Sequence, residues 1–179
     1  VIREYRLLNG GVLSRKPEQM THLHGDVLVP KTHPRIAFRG AIDSLEAEIL
    51  FCQASLDSTL AEQLGQILAF VRNLLRCDVL DEPVEWERLC GLTEEELRSR
   101  SHRPQDYYGQ PHFMPQAADG QAVLLLNRCR CMARAAELAA AHAFIDADGN
   151  AIRPDILKAL NRVSSMIYIL MIQKKATGR

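Results

Sequence analysis

The sequence has no long hydrophobic run and no excess of charge of either sign. Its longest apolar runs, AVLLL (122–126) and MIYILMI (166–172), fall far short of the roughly 20 residues that a helix needs to span a bilayer. Lysine plus arginine and aspartate plus glutamate number 22 each. This balance gives no reason to expect binding to nucleic acid or to an anionic membrane, and it limits anionic ligands to local basic clusters.

Cysteines with metal-site spacing are also missing. The sequence contains no CxxC, and its five cysteines are odd in number: Cys52, Cys77, Cys90, Cys129 and Cys131. We expect reduced thiols in a cytoplasmic protein. No signal peptide is recognisable, and because the first residue is Val rather than Met, we expect the natural N-terminus to lie upstream.

The remaining composition is that of a folded domain. The chain has 179 residues, of which 47% are hydrophobic and 25% charged. This length suits one domain with a sizeable core. Apolar side chains recur at helical spacing from residue 42 to 56, from 60 to 75, from about 120 to 144 and from 154 to 175.

We predict an all-α fold, a bundle of four to five helices over residues 31–179. A further short helix is expected within residues 93–105, followed by a loop over 106–116. Residues 1–30 contain the breakers NGG (9–11) and Pro17, and we expect them to be irregular. No strand alternation and no internal repeat are apparent.

One helix carries an unusual charged stripe. At about 100° per residue, Arg130, Arg134 and Glu137 lie within about 60° of one another, and Arg128 points to the opposite side. The stripe is either a solvated face with an ion pair or a guanidinium pair that clamps phosphate oxygens. Spacing alone does not choose between these alternatives.

Three motifs, taken together, resemble one family. LVPKTHPRIAFRGAIDSL (28–45) is similar to the V-P-K-x-x-P-R-x-x-x-x-G-x-x-D-x-L segment of ATP:corrinoid adenosyltransferases. RCMARAAE (130–137) resembles their R-x-x-x-R-x-x-E motif, and ALNRVSSMIYIL (159–170) resembles their closing L-N-R-x-S segment. GLTEEELRSRSHRP (91–104) and IRPDILKALNRVSS (152–165) are similar to the ethanolamine-utilisation branch.

The resemblance implies an oligomer, in this family a trimer, that binds ATP between its subunits. Asp43 and Arg130 would be catalytic, with Asp43 pairing with Arg130 of a neighbouring subunit. Without the resemblance, Asp43 reads as a helix N-terminal charge, Lys31 as a surface lysine and Asn161 as a bridge between helices. The implied ATP-binding residues are Thr21, Gly25, Lys31, Arg130, Arg134, Glu137 and Asn161.

Two segments depart from the family pattern. QMTHLHGDVLVPK (19–31), the implied phosphate-binding loop of the N-terminal segment, lacks most of the family's glycines. No cysteine precedes Cys52 to supply the His-and-three-Cys metal site of some ethanolamine-branch members, so we assign no metal ligand. His22 and His24 form an H-x-H, but histidines in loops rarely bind metal.

The loop PHFMP (111–115) matches the position of the family's cobalamin-binding loop. His112, Phe113 and Met114 would then bind cobalamin, with His112 or Phe113 displacing its lower ligand, or Phe113 and Met114 would simply cover the end of the bundle. The implied reaction transfers the 5′-deoxyadenosyl group from ATP, with Mg²⁺, to cob(I)alamin for ethanolamine catabolism.

Other functions remain alternatives. The chain could carry adenosylcobalamin to ethanolamine ammonia-lyase without turnover, or serve a purely structural role. The family resemblance places the protein in the cytoplasm or in a bacterial microcompartment.

Overall fold

The computed structural model describes residues 4–178 of the chain. Within these residues the fold is predominantly helical and carries one small sheet. The strands are β1 (Tyr5–Leu7), β2 (Val12–Leu13), β3 (Met20–His24) and β4 (Val27–Pro30). The helices are α1 (Pro34–Ser55), α2 (Ser58–Leu80), α3 (Glu94–His102), α4 (Pro104–Tyr108), α5 (Gln121–Phe144) and α6 (Pro154–Thr177), with a 3₁₀ turn at Ala117–Asp119.

The prediction of an all-α fold is wrong because residues 5–30 form a four-stranded mixed sheet. Its strand order is β2-β1-β4-β3, with β1 parallel to β4 and the other pairs antiparallel. The strands are two to five residues long, too short for alternation to stand out. Pairing across about 20 residues, as between Arg6 and Val27, leaves no local signature in the sequence.

The long helices agree with the hydrophobic pattern, although their ends differ. α1 begins at Pro34, where His33 caps it by accepting a hydrogen bond from the backbone N–H of Arg35 at Nδ1. α3 begins with a capping box between Thr93 and Glu96. The predicted loop over 106–116 is partly helical, because α4 extends to Tyr108.

The main core lies between α1, α2, α5 and α6, with α5 packed between α1 and α6. Its largest fully buried side chains include Phe38, Leu64, Leu126, Ile156 and Leu160. Within residues 4–178, none of the helices combines the length and the apolar character needed to cross a membrane.

Asp78 at the end of α2 joins the sheet to the helices. Its fully buried carboxylate pairs with Arg35 at 2.9 Å and Arg39 at 2.7 Å. Arg39 also donates to the backbone carbonyl oxygens of Leu23, at 2.7 Å, and His22, at 3.4 Å, on β3. Arg39 thus ties β3 to the start of α1 and to Asp78, and Arg35 fixes the same carboxylate.

Candidate functional site

A large cleft lies between α5 and α6, where the end of α3 approaches them. Its volume is about 810 Å³, which is in the range of small-molecule sites. It combines basic, acidic and hydroxyl groups with an aromatic ring. The lining residues are Ser101, His102, Arg130, Arg134, Ala135, Glu137, Leu138, Ala141, Asn161, Ser164, Ser165 and Tyr168.

The α5 wall is the charged stripe predicted from helical spacing. Arg130, Arg134 and Glu137 all line the cleft, as the helical geometry requires. Arg128 lies on another face, where its guanidinium pairs with Glu48 of α1 at 3.0 Å. The prediction that Arg128 is separate from the stripe is therefore confirmed.

Arg130 is held in place by two neighbours. Its Nε and Nη2 atoms donate to Oδ1 of Asn127 at 3.2 and 3.0 Å. Its guanidinium lies over the ring of Tyr168, 6.0 Å from the centroid, within reach of a cation–π attraction. These contacts use one side of the guanidinium fork and leave the other side for an anion.

The α6 wall is joined to α5 by a chain of polar contacts. Nδ2 of Asn161 donates to Oε1 of Glu137 at 3.0 Å, while Oδ1 of Asn161 accepts from Arg162 at 2.6 Å. Arg162 in turn pairs with Glu94 of α3 at 3.5 Å. Asn161 therefore bridges helices, as one reading of the sequence proposed, and the bridge lies inside the cleft.

Tyr168 lines the cleft, and its ring contacts His112 of the loop that follows α4. The two rings stack at a centroid distance of 5.8 Å and an angle of 12°, and the Tyr168 hydroxyl lies 2.8 Å from Nδ1 of His112. Nε2 of His112 lies 3.1 Å from the carbonyl oxygen of His102. Because a carbonyl only accepts, Nε2 donates to it, and in the tautomer that this contact selects Nδ1 is the acceptor for the Tyr168 hydroxyl. Burial raises the pKa of Tyr168, which keeps this donor protonated.

The other two members of the predicted cobalamin-binding loop lie differently. Phe113 packs against the core, with the Lys175 ammonium 5.5 Å from its ring centroid, and Lys175 also pairs with Asp119. Met114 is 83% exposed. None of these three loop residues lines the cleft; His112 is connected to it through its contact with Tyr168.

The remaining predicted site residues lie outside this cleft. Thr21 is on β3, Gly25 forms the β3–β4 turn with a positive φ of 53°, and Lys31 follows β4 with an exposed side chain. Asp43 is exposed on α1, and no ion pair joins it to another described residue. One chain therefore brings Arg130, Arg134, Glu137 and Asn161 together in the cleft. The four residues of the sheet segment and α1 lie elsewhere.

The H-x-H histidines of β3 do not share one environment. His22 packs on Tyr5, with ring centroids 5.8 Å apart, and its Nε2 is buried. His24 is exposed beyond an irregularity in the β3–β4 register.

Several cleft residues were missed by sequence reasoning. Ser164, Ser165 and Tyr168 follow Asn161 at spacings of three, four and seven residues, so they share one face of α6. This stripe could have been read from NRVSSMIY (161–168) in the same way as the arginine stripe. Ser101 and His102 carry no such signal, because α3 reaches the cleft only through tertiary packing.

Comparisons with known proteins agree with these features. The family model described as cobalamin adenosyltransferase matches residues 12–174. The corrinoid adenosyltransferase EutT of Salmonella typhimurium is 40% identical over 158 residues, and EutT of Escherichia coli K12 is 38% identical over 160. These alignments cover 88% and 89% of this chain but only 59% and 60% of the relatives.

Solved structures with a similar fold are adenosyltransferases of the PduO type from Lactobacillus reuteri. One variant, complexed with cobalamin and ATP, has a TM-score of 0.59 at 16% identity, covering 95% of this chain and 87% of that one. Another, complexed with ATP, has a TM-score of 0.61 at 19% identity, covering 87% and 88%. At this identity the likeness concerns the fold.

Proposed function

Because the chain belongs to the cobalamin adenosyltransferase family, we propose that it transfers the 5′-deoxyadenosyl group from ATP to cob(I)alamin. The similarity to two EutT proteins favours a role in ethanolamine catabolism. The chain spans about 59% of the length of these relatives, and the proposal concerns the activity of the whole protein. The observation that carries it is the pair of guanidiniums, Arg130 and Arg134, in one wall of the cleft.

In the proposed reaction, cob(I)alamin attacks the 5′ carbon of ATP. A cobalt–carbon bond forms with the electron pair of Co(I), the bond from C5′ to the phosphate oxygen breaks, and the polyphosphate leaves with that bond's electrons. No general base is needed, because the nucleophile carries no proton. The protein's task is to align cobalt with carbon and to stabilise charge on the leaving group.

Arg130 and Arg134 suit the second task. Guanidinium groups bind phosphate oxygens through paired hydrogen bonds, and the Asn127 contact fixes the orientation of Arg130 before ATP binds. The Asn161–Glu137 bridge places carboxamide and carboxylate groups beside the arginines, where they suit a hydroxyl of the ribose. Mg²⁺ bound to the polyphosphate would neutralise further charge, and Glu137 is the carboxylate of the cleft that fits it.

His112 and Tyr168 are our candidates for the cobalamin side of the cleft. Stacked rings joined by a hydrogen bond form a rigid wall that would exclude water and a lower axial ligand. Exclusion of that ligand favours reduction of Co(II) to Co(I). Phe113 and Met114, adjacent on the same loop, would extend this surface.

The site is proposed to be completed by a second subunit. Thr21, Gly25, Lys31 and Asp43 all lie away from the cleft of their own chain. A neighbouring copy could bring its β3–β4 segment over the triphosphate and its Asp43 to Arg130, which supports a homo-oligomer, by family resemblance a trimer. We further propose, with the same resemblance as support, a location in the cytoplasm or a microcompartment and ethanolamine ammonia-lyase as the client of the product.

The test is an anaerobic incubation with chemically reduced cobalamin and Mg-ATP, followed by the corrinoid spectrum. We expect a light-sensitive adenosylated product that is lost in Arg130→Ala and strongly reduced in Arg134→Lys. Arg76→Ala, which breaks an exposed pair with Glu82, is the matched control and should retain activity. Cobalamin binding without conversion, for both this chain and the full-length gene product, would contradict the enzyme and favour the carrier.

A further inference from the structure

A second group of reactive side chains lies in the core, on the side of α5 that faces α1. The thiols of Cys52 on α1 and Cys129 on α5 are fully buried and their sulfur atoms are 3.2 Å apart. Oε1 of Glu48, one turn before Cys52, lies 3.8 Å from its sulfur. The three ligand atoms all lie within 4.8 Å of one another.

The spacing of these atoms is close to that of a metal site. Ligands at about 2.3 Å for sulfur and 2.1 Å for oxygen, in tetrahedral directions, lie about 3.8 Å (S···S) and 3.6 Å (S···O) apart. The sulfur pair would have to separate by only about 0.6 Å. The carbonyl oxygen of Leu125, 3.4 Å from the Cys52 sulfur, offers a fourth ligand.

The charges of the cluster also fit a divalent cation. Oε2 of Glu48 pairs with Arg128 at 3.0 Å, while Oε1 faces the thiols. Two thiolates and the carboxylate carry three negative charges, which Arg128 and one divalent cation balance. When the cation replaces the two thiol protons, the buried cluster stays neutral, so the cost of burying charge is avoided.

We propose that Glu48, Cys52 and Cys129 form a binding site for one thiophilic divalent cation of the Zn²⁺ class. The cation takes the place of two protons, which are released to solvent, and no oxidant or reductant is needed. It links α1 to α5 one residue before Arg130, independently of the nucleotide cleft. Two sulfurs and a carboxylate match the ligands that Zn²⁺ accepts in proteins.

The first experiment adds Cd²⁺ to the reduced chain and records the ultraviolet sulfur-to-cadmium charge-transfer band. We expect one equivalent to bind, and the affinity to rise by about 100-fold per pH unit while both thiols are protonated. The thermal midpoint of unfolding should rise with bound metal. Cys52→Ser and Cys129→Ser should each abolish the band, and Glu48→Gln should weaken binding by tenfold or more.

Cys131→Ser is the matched control, because Cys131 lies on the same helix but is exposed. X-ray absorption of the Zn²⁺-loaded wild-type chain provides a measurement that does not depend on any variant folding; two sulfur ligands at about 2.3 Å are expected. A band that survives in both buried-cysteine variants, a band lost in Cys131→Ser, or fewer than two sulfur ligands would overturn the proposal. So would isolation of the chain with Cys52 and Cys129 joined as a disulfide.

Discussion

The Asn161 carboxamide donates a hydrogen bond to Glu137 at 3.0 Å, and this contact joins α6 to α5 inside the cleft. Spacing within one helix could not identify the two residues as partners, because they are 24 residues apart in the chain. The contact links the two walls of the proposed nucleotide site, so the position of one wall depends on the other.

Asn161→Ala should weaken ATP binding. The Glu137 carboxylate would lose its neutral partner, and Arg162 would lose one of its two acceptors. Hydrogen bonds to charged groups contribute about 1.5–3 kcal/mol, so we expect the dissociation constant for ATP to rise about tenfold or more. Isothermal titration calorimetry measures this, with Asn73→Ala on α2 as control; an unchanged constant would remove Asn161 from the site.

Tyr168→Phe should impair the reduction of bound Co(II) without weakening ATP binding. The substitution keeps the ring under Arg130 but removes the hydroxyl that lies 2.8 Å from His112. We expect ATP affinity to stay within about twofold and reduction of bound Co(II) to fall several-fold. Tyr107→Phe, which removes an exposed hydroxyl bonded to Ser99, is the matched control. Equal losses in both functions would mean that the pair only supports the fold.

Mixing two inactive variants should restore activity if sites form between subunits. We expect Asp43→Asn and Arg130→Ala to be inactive alone. When the two chains are unfolded and reassembled together, some sites receive an intact Asp43 and an intact Arg130 from different subunits. We expect these reassembled oligomers to recover adenosylation activity. Variants that are folded separately and then combined are the control and should stay inactive. No recovery in mixed oligomers confirmed by mass would place both residues in one subunit.

Asp78→Asn should destabilise the fold strongly. Two arginines would lose their buried carboxylate, and breaking a buried pair from one side costs about 3–5 kcal/mol. The lower part of that range is expected, because Arg35 and Arg39 retain 18% and 15% exposure. Asp26→Asn breaks the exposed Arg6–Asp26 pair and should change stability little, because solvent screens such a pair. Urea unfolding compares the two, and similar costs would contradict this account of Asp78.

His33 should make stability fall at mildly acidic pH. Burial, followed by Arg35 and Arg39, lowers the pKa of His33, while Asp78 opposes the shift. The unfolded chain therefore binds a proton first, so stability is full above about pH 6.5 and declines as the pH falls through the folded pKa. His33→Asn retains a capping acceptor without titrating. Its urea midpoint should change less between about pH 7.5 and 5.5 than that of the wild type; an equal change would assign the effect to other groups.

Local regularities in the sequence determined the helices and the arginine stripe. A buried helix face repeats every three to four residues, so α2, α5 and α6 were readable from their apolar side chains alone. The same geometry placed Arg130, Arg134 and Glu137 together and Arg128 elsewhere. Family membership was readable as well, because its motifs are short contiguous segments.

Only the tertiary structure decided the sheet, the second wall of the cleft and the buried thiol cluster. The strands of residues 5–30 are too short for a period to show, and they are specified by pairing with distant residues. His112 meets Tyr168 across 56 residues, and Cys52 meets Cys129 across 77. Such contacts depend on how the helices pack, and the pairing of one residue with a particular distant residue leaves no mark on the sequence of either partner.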